Sequence, residues 1–298
     1  MVSPKSWRAL YPFRSRFFET GGHRLHYLDE GEGDPVVMLH GNPTWSFYFR
    51  NLVRALSPAY RCVVPDHIGC GLSDKPGDET YDFRLESRVR DLEGLLESLG
   101  LTGRITLLVH DWGGMIGMAY AHRNPERVSR FVVANTAAFG PPGGKAIPLR
   151  LRMIRNLSAF GTPAVLGCNA FARAALWMAP RRRMAPEVRA GLIAPYDRPR
   201  HRLATLRFVE DIPLEPGDPS YDLVRAVDRN LARFRDRPML ILWGRHDFVF
   251  DLDYLAEWRR RFPGARHRRF DDAGHYLIED RPIEIAAYVK DFLKKTIV

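Results

Sequence analysis

Short, unbroken apolar runs alternate along the chain with longer stretches in which apolar residues recur every three or four positions. Pro35 to Leu39 and Pro238 to Trp243 are of the first kind, and Tyr60 to Pro65, Arg104 to Val109 and Arg127 to Ala134 repeat the pattern with a few polar residues among the apolar ones. Such runs suit strands covered on both faces. Arg84 to Leu99 is of the second kind: Leu85, Val89, Leu92, Leu96 and Leu99 share one helical face, and Gly100 stops the helix. The same period predicts helices over Trp45 to Leu56, Trp112 to Asn124, Leu252 to Phe262 and Pro282 to Lys294. A last strand is expected at Ala265 to Phe270. Near the start, Arg16 to Glu19 and His23 to Asp29 flank Gly21-Gly22 and read as two antiparallel strands.

Strands that alternate with helices at this spacing predict an α/β protein with a mostly parallel, doubly wound sheet. The rhythm stops after Asn135 and resumes at Pro238. Between Gly140 and about Tyr221 the chain is rich in Pro, Arg and Ala, with helical but no strand patterns. The expected organisation is therefore an α/β core from residues 1–139 and 222–298, interrupted by a helical cap over 140–221.

Composition narrows this picture. With 298 residues, 45% of them apolar, the chain can build a full core, and no internal repeat or low-complexity tract appears. The first twenty residues lack the apolar run of a secretory signal, and no stretch reaches 18 uncharged apolar residues. Cys62, Cys70 and Cys168 are an odd count without Cys-x-x-Cys spacing, which fits neither a disulfide framework nor a zinc site. A reducing cytoplasm is expected, with no metal or other cofactor. The net charge of +10 raises nucleic acid as a partner, but the basic runs at Arg181 to Arg183, Arg259 to Arg261 and Arg266 to Arg269 lie apart and no nucleic-acid motif accompanies them. They read as solvated faces, or as a docking surface for an acidic partner.

The chemistry is concentrated at Leu108-Val-His-Asp-Trp-Gly-Gly114, a strand-turn-helix of the type that presents a nucleophile above a sheet edge. Gly113 and Gly114 let strand and helix approach. The presenting position holds Asp111, and no Gly-x-Ser-x-Gly occurs in the chain, which removes a serine nucleophile. A carboxylate with a reference pKa of about 3.9 needs no base to activate it. In this strand-turn-helix plan an acid follows a late strand and a histidine follows the last one; Asp247 and His275 stand at those places. Taken alone, Asp111 would be read as a helix N-cap, Asp247 as a turn residue and His275 as a packed histidine; only the set is specific.

His40-Gly-Asn-Pro43 directly follows a buried strand, where the first oxyanion-hole N–H is placed, the second coming from the residue after the nucleophile. These are Asn42 and Trp112, whose side chains are also N–H donors suited to a departing anion. Donors of that kind are worth about 3 to 4 kcal/mol each in a transition state. In the cap, Phe171, Leu176, Trp177 and Met178 are candidates to line a tunnel for a long apolar substrate, and Tyr196 and Tyr221 are the alternative phenolic acids.

Taken together, HGNPTW (His40 to Trp45), DHIGCGLSDKP (Asp66 to Pro76), VHDWGG (Val109 to Gly114), WGRHDFVF (Trp243 to Phe250) and DAGHYLIED (Asp272 to Asp280) resemble the haloalkane dehalogenase branch of the α/β-hydrolases over nearly the whole chain. The resemblance implies that Asp111 is the nucleophile, His275 the base, Asp247 the acid, and Asn42 and Trp112 the leaving-group site. NTAAF (Asn135 to Phe139), CNAFAR (Cys168 to Arg173) and RFVEDIPL (Arg207 to Leu214) are similar to the β-lactone decarboxylases of bacterial long-chain olefin biosynthesis. That subgroup implies a cis-β-lactone with two long alkyl chains as substrate, a cis-alkene and CO2 as products, and an assembly with a lactone-forming ligase and a reductase. Dehalogenation is the alternative activity. An epoxide hydrolase fits less well, because Val109 and Asn42 depart from its pattern, and a binding protein on a retired scaffold would normally have lost a triad member.

Overall fold

The computed structural model describes residues 6–296; residues 1–5 and 297–298 of the expected core lie outside the described residues. The strands are β1 (Arg16–Thr20), β2 (His23–Glu30), β3 (Pro35–Leu39), β4 (Arg61–Pro65), β5 (Ile105–Asp111), β6 (Val128–Thr136), β7 (Met239–Gly244) and β8 (Arg266–Phe270). They form one sheet in the order β1-β2-β4-β3-β5-β6-β7-β8. The hairpin of β1 and β2 joins β4 antiparallel, and every pairing from β4 to β8 is parallel. Every residue of β5 and β7 is buried, as their mostly apolar runs require in a sheet covered on both sides.

Helices α1 (Arg50–Leu56), α2 (Leu85–Ser98) and α3 (Trp112–Arg123) follow β3, β4 and β5. After β6 come α4 (Leu149–Asn156), α5 (Ser158–Thr162), α6 (Ala170–Met178), α7 (Pro186–Ile193) and α8 (Leu203–Glu210), with short 3-10 turns, one π turn at Pro163–Gly167 and no strand between them. The chain then enters α9 (Tyr221–Asn230), β7, α10 (Leu252–Arg261), β8, α11 (Leu277–Asp280) and α12 (Pro282–Lys295). One face of the sheet is covered by α2, α3, α9 and α10 through residues such as Leu92, Ile116, Val227 and Trp258. The other is covered by α1 and α12 through Leu52, Leu56, Ile285 and Val289.

Several elements differ from the sequence pattern. The stretch expected as one helix from Trp45 opens as a 3-10 turn over Ser46–Phe49 before α1 begins. Helices α9 and α11 lie outside the helices that the pattern predicts; in α9 the apolar Leu223, Val224 and Val227 are interrupted by charges, and tertiary packing completes the helix. The 140–221 segment is fastened to the sheet side by the Trp45 Nε1 bond to Gly191 O (3.0 Å), the Tyr276 N–H to Ala179 O (3.0 Å) and the Leu85 N–H to Asp211 Oδ2 (2.9 Å).

Candidate active site

The turn from β5 into α3 carries Asp111 at φ 52°, ψ −127°, a conformation that L-residues avoid and that persists only where its surroundings enforce it. The neighbouring glycines show the enforcement. A Cβ on Gly113 would run into the Leu39 carbonyl, and one on Gly114 into Thr136 Oγ1. Thr136 also donates its hydroxyl to the Asp111 carbonyl oxygen. The Asp111 side chain makes no capping bond at the start of α3, so the N-cap alternative does not hold.

Its carboxylate is gripped on one side and open on the other. Oδ1 accepts the Asn42 backbone N–H at 2.7 Å, and the Trp112 backbone N–H favours the same negative charge. Oδ2 lies 3.6 Å from His275 Nε2. Gly41 permits this, because a Cβ there would land on Asp111 Oδ1. His40 and His67 brace the turn: the His67 N–H donates to His40 Nε2 (3.2 Å) and His67 Nε2 bonds His40 O (3.0 Å).

His275 Nδ1 bonds Asp247 Oδ2 at 2.8 Å, while Asp247 Oδ1 accepts the N–H groups of Val249 (2.7 Å) and Phe250 (2.9 Å). The acid is thus fixed by its own loop beyond β7. All three residues are buried, with 4% to 6% of their surface accessible. Burial alone would lower the His275 pKa, but the charges and hydrogen bond of Asp247 and Asp111 outweigh it and raise it above the usual imidazole value. Burial also raises Asp111, against the opposing pull of His275 and the two backbone N–H groups.

Two positioning residues carried no signal strong enough to be found in the sequence. Asn135, at the end of β6 with φ 39°, donates to Gly274 O (2.9 Å) and His275 O (3.3 Å) and accepts the Gly244 N–H (2.8 Å). One amide therefore ties the ends of β6 and β7 to the histidine loop. Buried His110 bonds His275 O through Nε2 at 2.9 Å. Their places in VHDWGG and NTAAF, each at a strand end, were the hint that the sequence held.

Above Asp111 lies a cavity of about 310 Å³, walled by Asn42, Asp111, Trp112 and His275 below and by residues of α4, α5, α6 and the 209–214 segment above. Its wall is otherwise almost entirely apolar. Phe171 and Met178 line it as expected, but Leu176 and Trp177 do not. They lie on the other side of α6, where Trp177 is 61% exposed and sits beneath the Arg189 guanidinium. Tyr196 and Tyr221 are also outside the wall; Tyr196 is buried, with its hydroxyl on Thr44 O. The Trp112 indole N–H has no protein acceptor among the described residues. The Asn42 amide donates one hydrogen to Thr205 O (2.9 Å), which leaves its second for a ligand.

The loop from Asp66 is structural. Buried Asp66 accepts from His26 Nδ1 (2.8 Å), the Ser46 N–H (2.6 Å) and the Leu72 N–H (2.8 Å). Burial pushes its pKa up, but these bonds and the nearby His26 and His40 bring it down to about 2.

Residues 34–282 match the family model described as the alpha/beta hydrolase fold. The chain is 50% identical over 288 residues to a cis-3-alkyl-4-alkyloxetan-2-one decarboxylase of Shewanella oneidensis, covering 96% of this chain and 90% of that one. It is 46% identical over 281 residues to a protein of the same name from Xanthomonas campestris pv. campestris, covering 92% and 93%. Among solved structures, a putative ancestral haloalkane dehalogenase superposes with a TM-score of 0.84 at 27% identity, covering 94% of this chain and 99% of that one.

Proposed function

Because the chain belongs to the alpha/beta hydrolase fold family, we propose that its Asp111 site is that of a β-lactone decarboxylase, which converts a cis-3-alkyl-4-alkyloxetan-2-one with long alkyl chains into a cis-alkene and CO2. The observation that carries the proposal is the 50% identity over 96% of the chain to a decarboxylase of that name. The site supports it: a buried carboxylate nucleophile faces an apolar chamber suited to two alkyl chains.

In this reading Asp111 Oδ2 attacks the ring carbon that bears the ring oxygen, from the side opposite that oxygen. The C–O bond breaks, leaving an alkyl ester of Asp111 and a free carboxylate held by the N–H groups of the Asn42 and Trp112 side chains. Loss of CO2 then supplies the electron pair of the new C=C bond and expels Asp111 as carboxylate. Inversion followed by anti elimination keeps the alkyl groups cis, and no water is consumed. Attack at the lactone carbonyl is disfavoured because the Asn42 backbone N–H, which would help hold its oxyanion, is engaged by Asp111 Oδ1. Asp247 and His275 form a buried ion pair beside Oδ2, placing positive charge near the oxygen that leaves as an anion.

All three cysteines are free, which suits the reducing cytoplasm that forms part of the proposal. Assembly with a lactone-forming ligase and a reductase is supported by kinship with the olefin-pathway enzymes alone. The deciding experiment gives the purified protein a long-chain cis-β-lactone and a bromoalkane side by side, measuring alkene against free bromide. Bromide without alkene would make it a dehalogenase. Repeated turnover of lactone in oxygen-18 water should leave Asp111 unlabelled; label in that residue would overturn the elimination route.

A further inference from the structure

Between Gly140 and Pro186 the chain carries one lysine and seven arginines and no aspartate or glutamate. Lys145 and Arg155 pair with Asp251, Asp253 and Asp218, and Arg182 pairs with Asp272. Arg150, Arg152 and Arg173 are exposed and make no ion pair among the described residues. The same segment presents Leu149, Leu157 and Phe160 to solvent at 67%, 52% and 46%, and Phe248 is 37% exposed. The Arg150 guanidinium lies 5.4 Å from the Phe248 ring centre. Arg150, Phe160 and Phe248 are both exposed and part of the cavity wall, so they mark where the chamber opens.

We propose that this rim, α4 and α5 with Phe248, docks on an anionic phospholipid surface, so that an apolar substrate passes between lipid and chamber without crossing water. Apolar side chains interspersed with unpaired guanidinium groups are the pattern of segments that lie in a membrane interface. Basic residues there draw in the anionic headgroups, each changing the partition about fivefold. Attachment is peripheral, since no helix among the described residues is long and apolar enough to cross a membrane. An acidic protein would satisfy the arginines but would leave the exposed Leu149, Leu157, Phe160 and Phe248 unexplained. The choice of a lipid surface rests on the lactone reading, whose two-chain substrate and hydrocarbon product both reside in lipid.

The test is sedimentation of the full chain with vesicles of phosphatidylglycerol and phosphatidylcholine in equal parts, and of phosphatidylcholine alone. The triple variant Leu149→Ser, Leu157→Ser, Arg152→Glu changes three exposed residues, none of which lines the chamber. Wild type should sediment with the anionic vesicles, much less with the neutral ones, and be released by high salt. The variant should lose about tenfold or more in partition while keeping its melting temperature and its rate on lactone in detergent micelles. Should it not fold, Arg152→Glu alone must weaken sedimentation at least fivefold or so. Equal sedimentation of wild type and variant, or none with anionic vesicles, overturns the proposal. Binding to poly-L-glutamate in place of vesicles, lost in the variant, would assign the rim to an acidic polypeptide instead. Sedimentation without lactone turnover sinks the decarboxylase reading alone; turnover in micelles without sedimentation sinks the surface alone.

Discussion

A single added carbon at Gly41 should disable the site while leaving the substrate chamber untouched. A Cβ at that position would overlap Oδ1, Cγ and Cβ of Asp111, and the backbone there needs no glycine-only torsion. The clash is therefore the whole effect. To relieve it the carboxylate must swing by roughly 1 Å, giving up the 2.7 Å bond from the Asn42 N–H and its line of attack, and a misplacement of that size costs about 100-fold in rate. On the barrier this is about 2.7 kcal/mol. Overpacking at a buried position adds roughly 1 to 3 kcal/mol of lost stability. Gly41 is not part of the cavity wall, so KM should hold while kcat falls. The assay is the initial rate of alkene formation by gas chromatography, with thermal melting in parallel. Gly103→Ala, where a Cβ meets nothing within 4 Å, is the control and should leave both unchanged. A Gly41→Ala enzyme with wild-type kcat and melting temperature would refute the geometry assigned to Asp111.

Other consequences follow from the same site. Asp111 acts as carboxylate and its pKa is raised by burial, so kcat/KM should fall as pH drops through a value above the ordinary aspartate range; a rate unchanged down to pH 4 would contradict this. The His275 pKa is raised in the folded state, chiefly by Asp247 against burial. The stability it lends is fully present below the unfolded imidazole value of about 6.5 and is lost as pH rises through the folded value. The melting advantage of wild type over Asp247→Asn should therefore shrink from pH 6 to pH 9, and a growing gap would reverse the sign. Tyr196→Phe and Tyr221→Phe should keep alkene formation within about twofold, because neither hydroxyl reaches the chamber, and Tyr196 should lose no more than about 1 kcal/mol. A large kcat loss in either would restore a phenolic acid.

Much of this molecule is legible in its sequence because strands covered on both faces are mostly apolar, and such runs placed β3, β4, β5, β6 and β7 within a residue or two. Asp111, Asp247 and His275 were legible for a different reason: each follows a strand that could be counted. What stayed hidden depends on three-dimensional proximity. Which side of α6 faces the chamber is set by the packing of α6 on α7, so the four candidates there split two and two. Asn135 looks like any strand-end asparagine until its amide is seen to hold three separate backbone groups. The pairing of the Asn42 backbone N–H with Asp111 itself, rather than with a ligand, is likewise a matter of angstroms.

The near absence of polar groups in the chamber wall shapes the end of a catalytic cycle as well as its start. Once CO2 has departed, the remaining hydrocarbon offers nothing for a hydrogen bond to grip, and its retention is a matter of oil-like partitioning alone. Each further methylene deepens that retention by about 0.8 kcal/mol, close to a fourfold longer residence, so chain length governs the pace of emptying far more than it governs the making of the double bond.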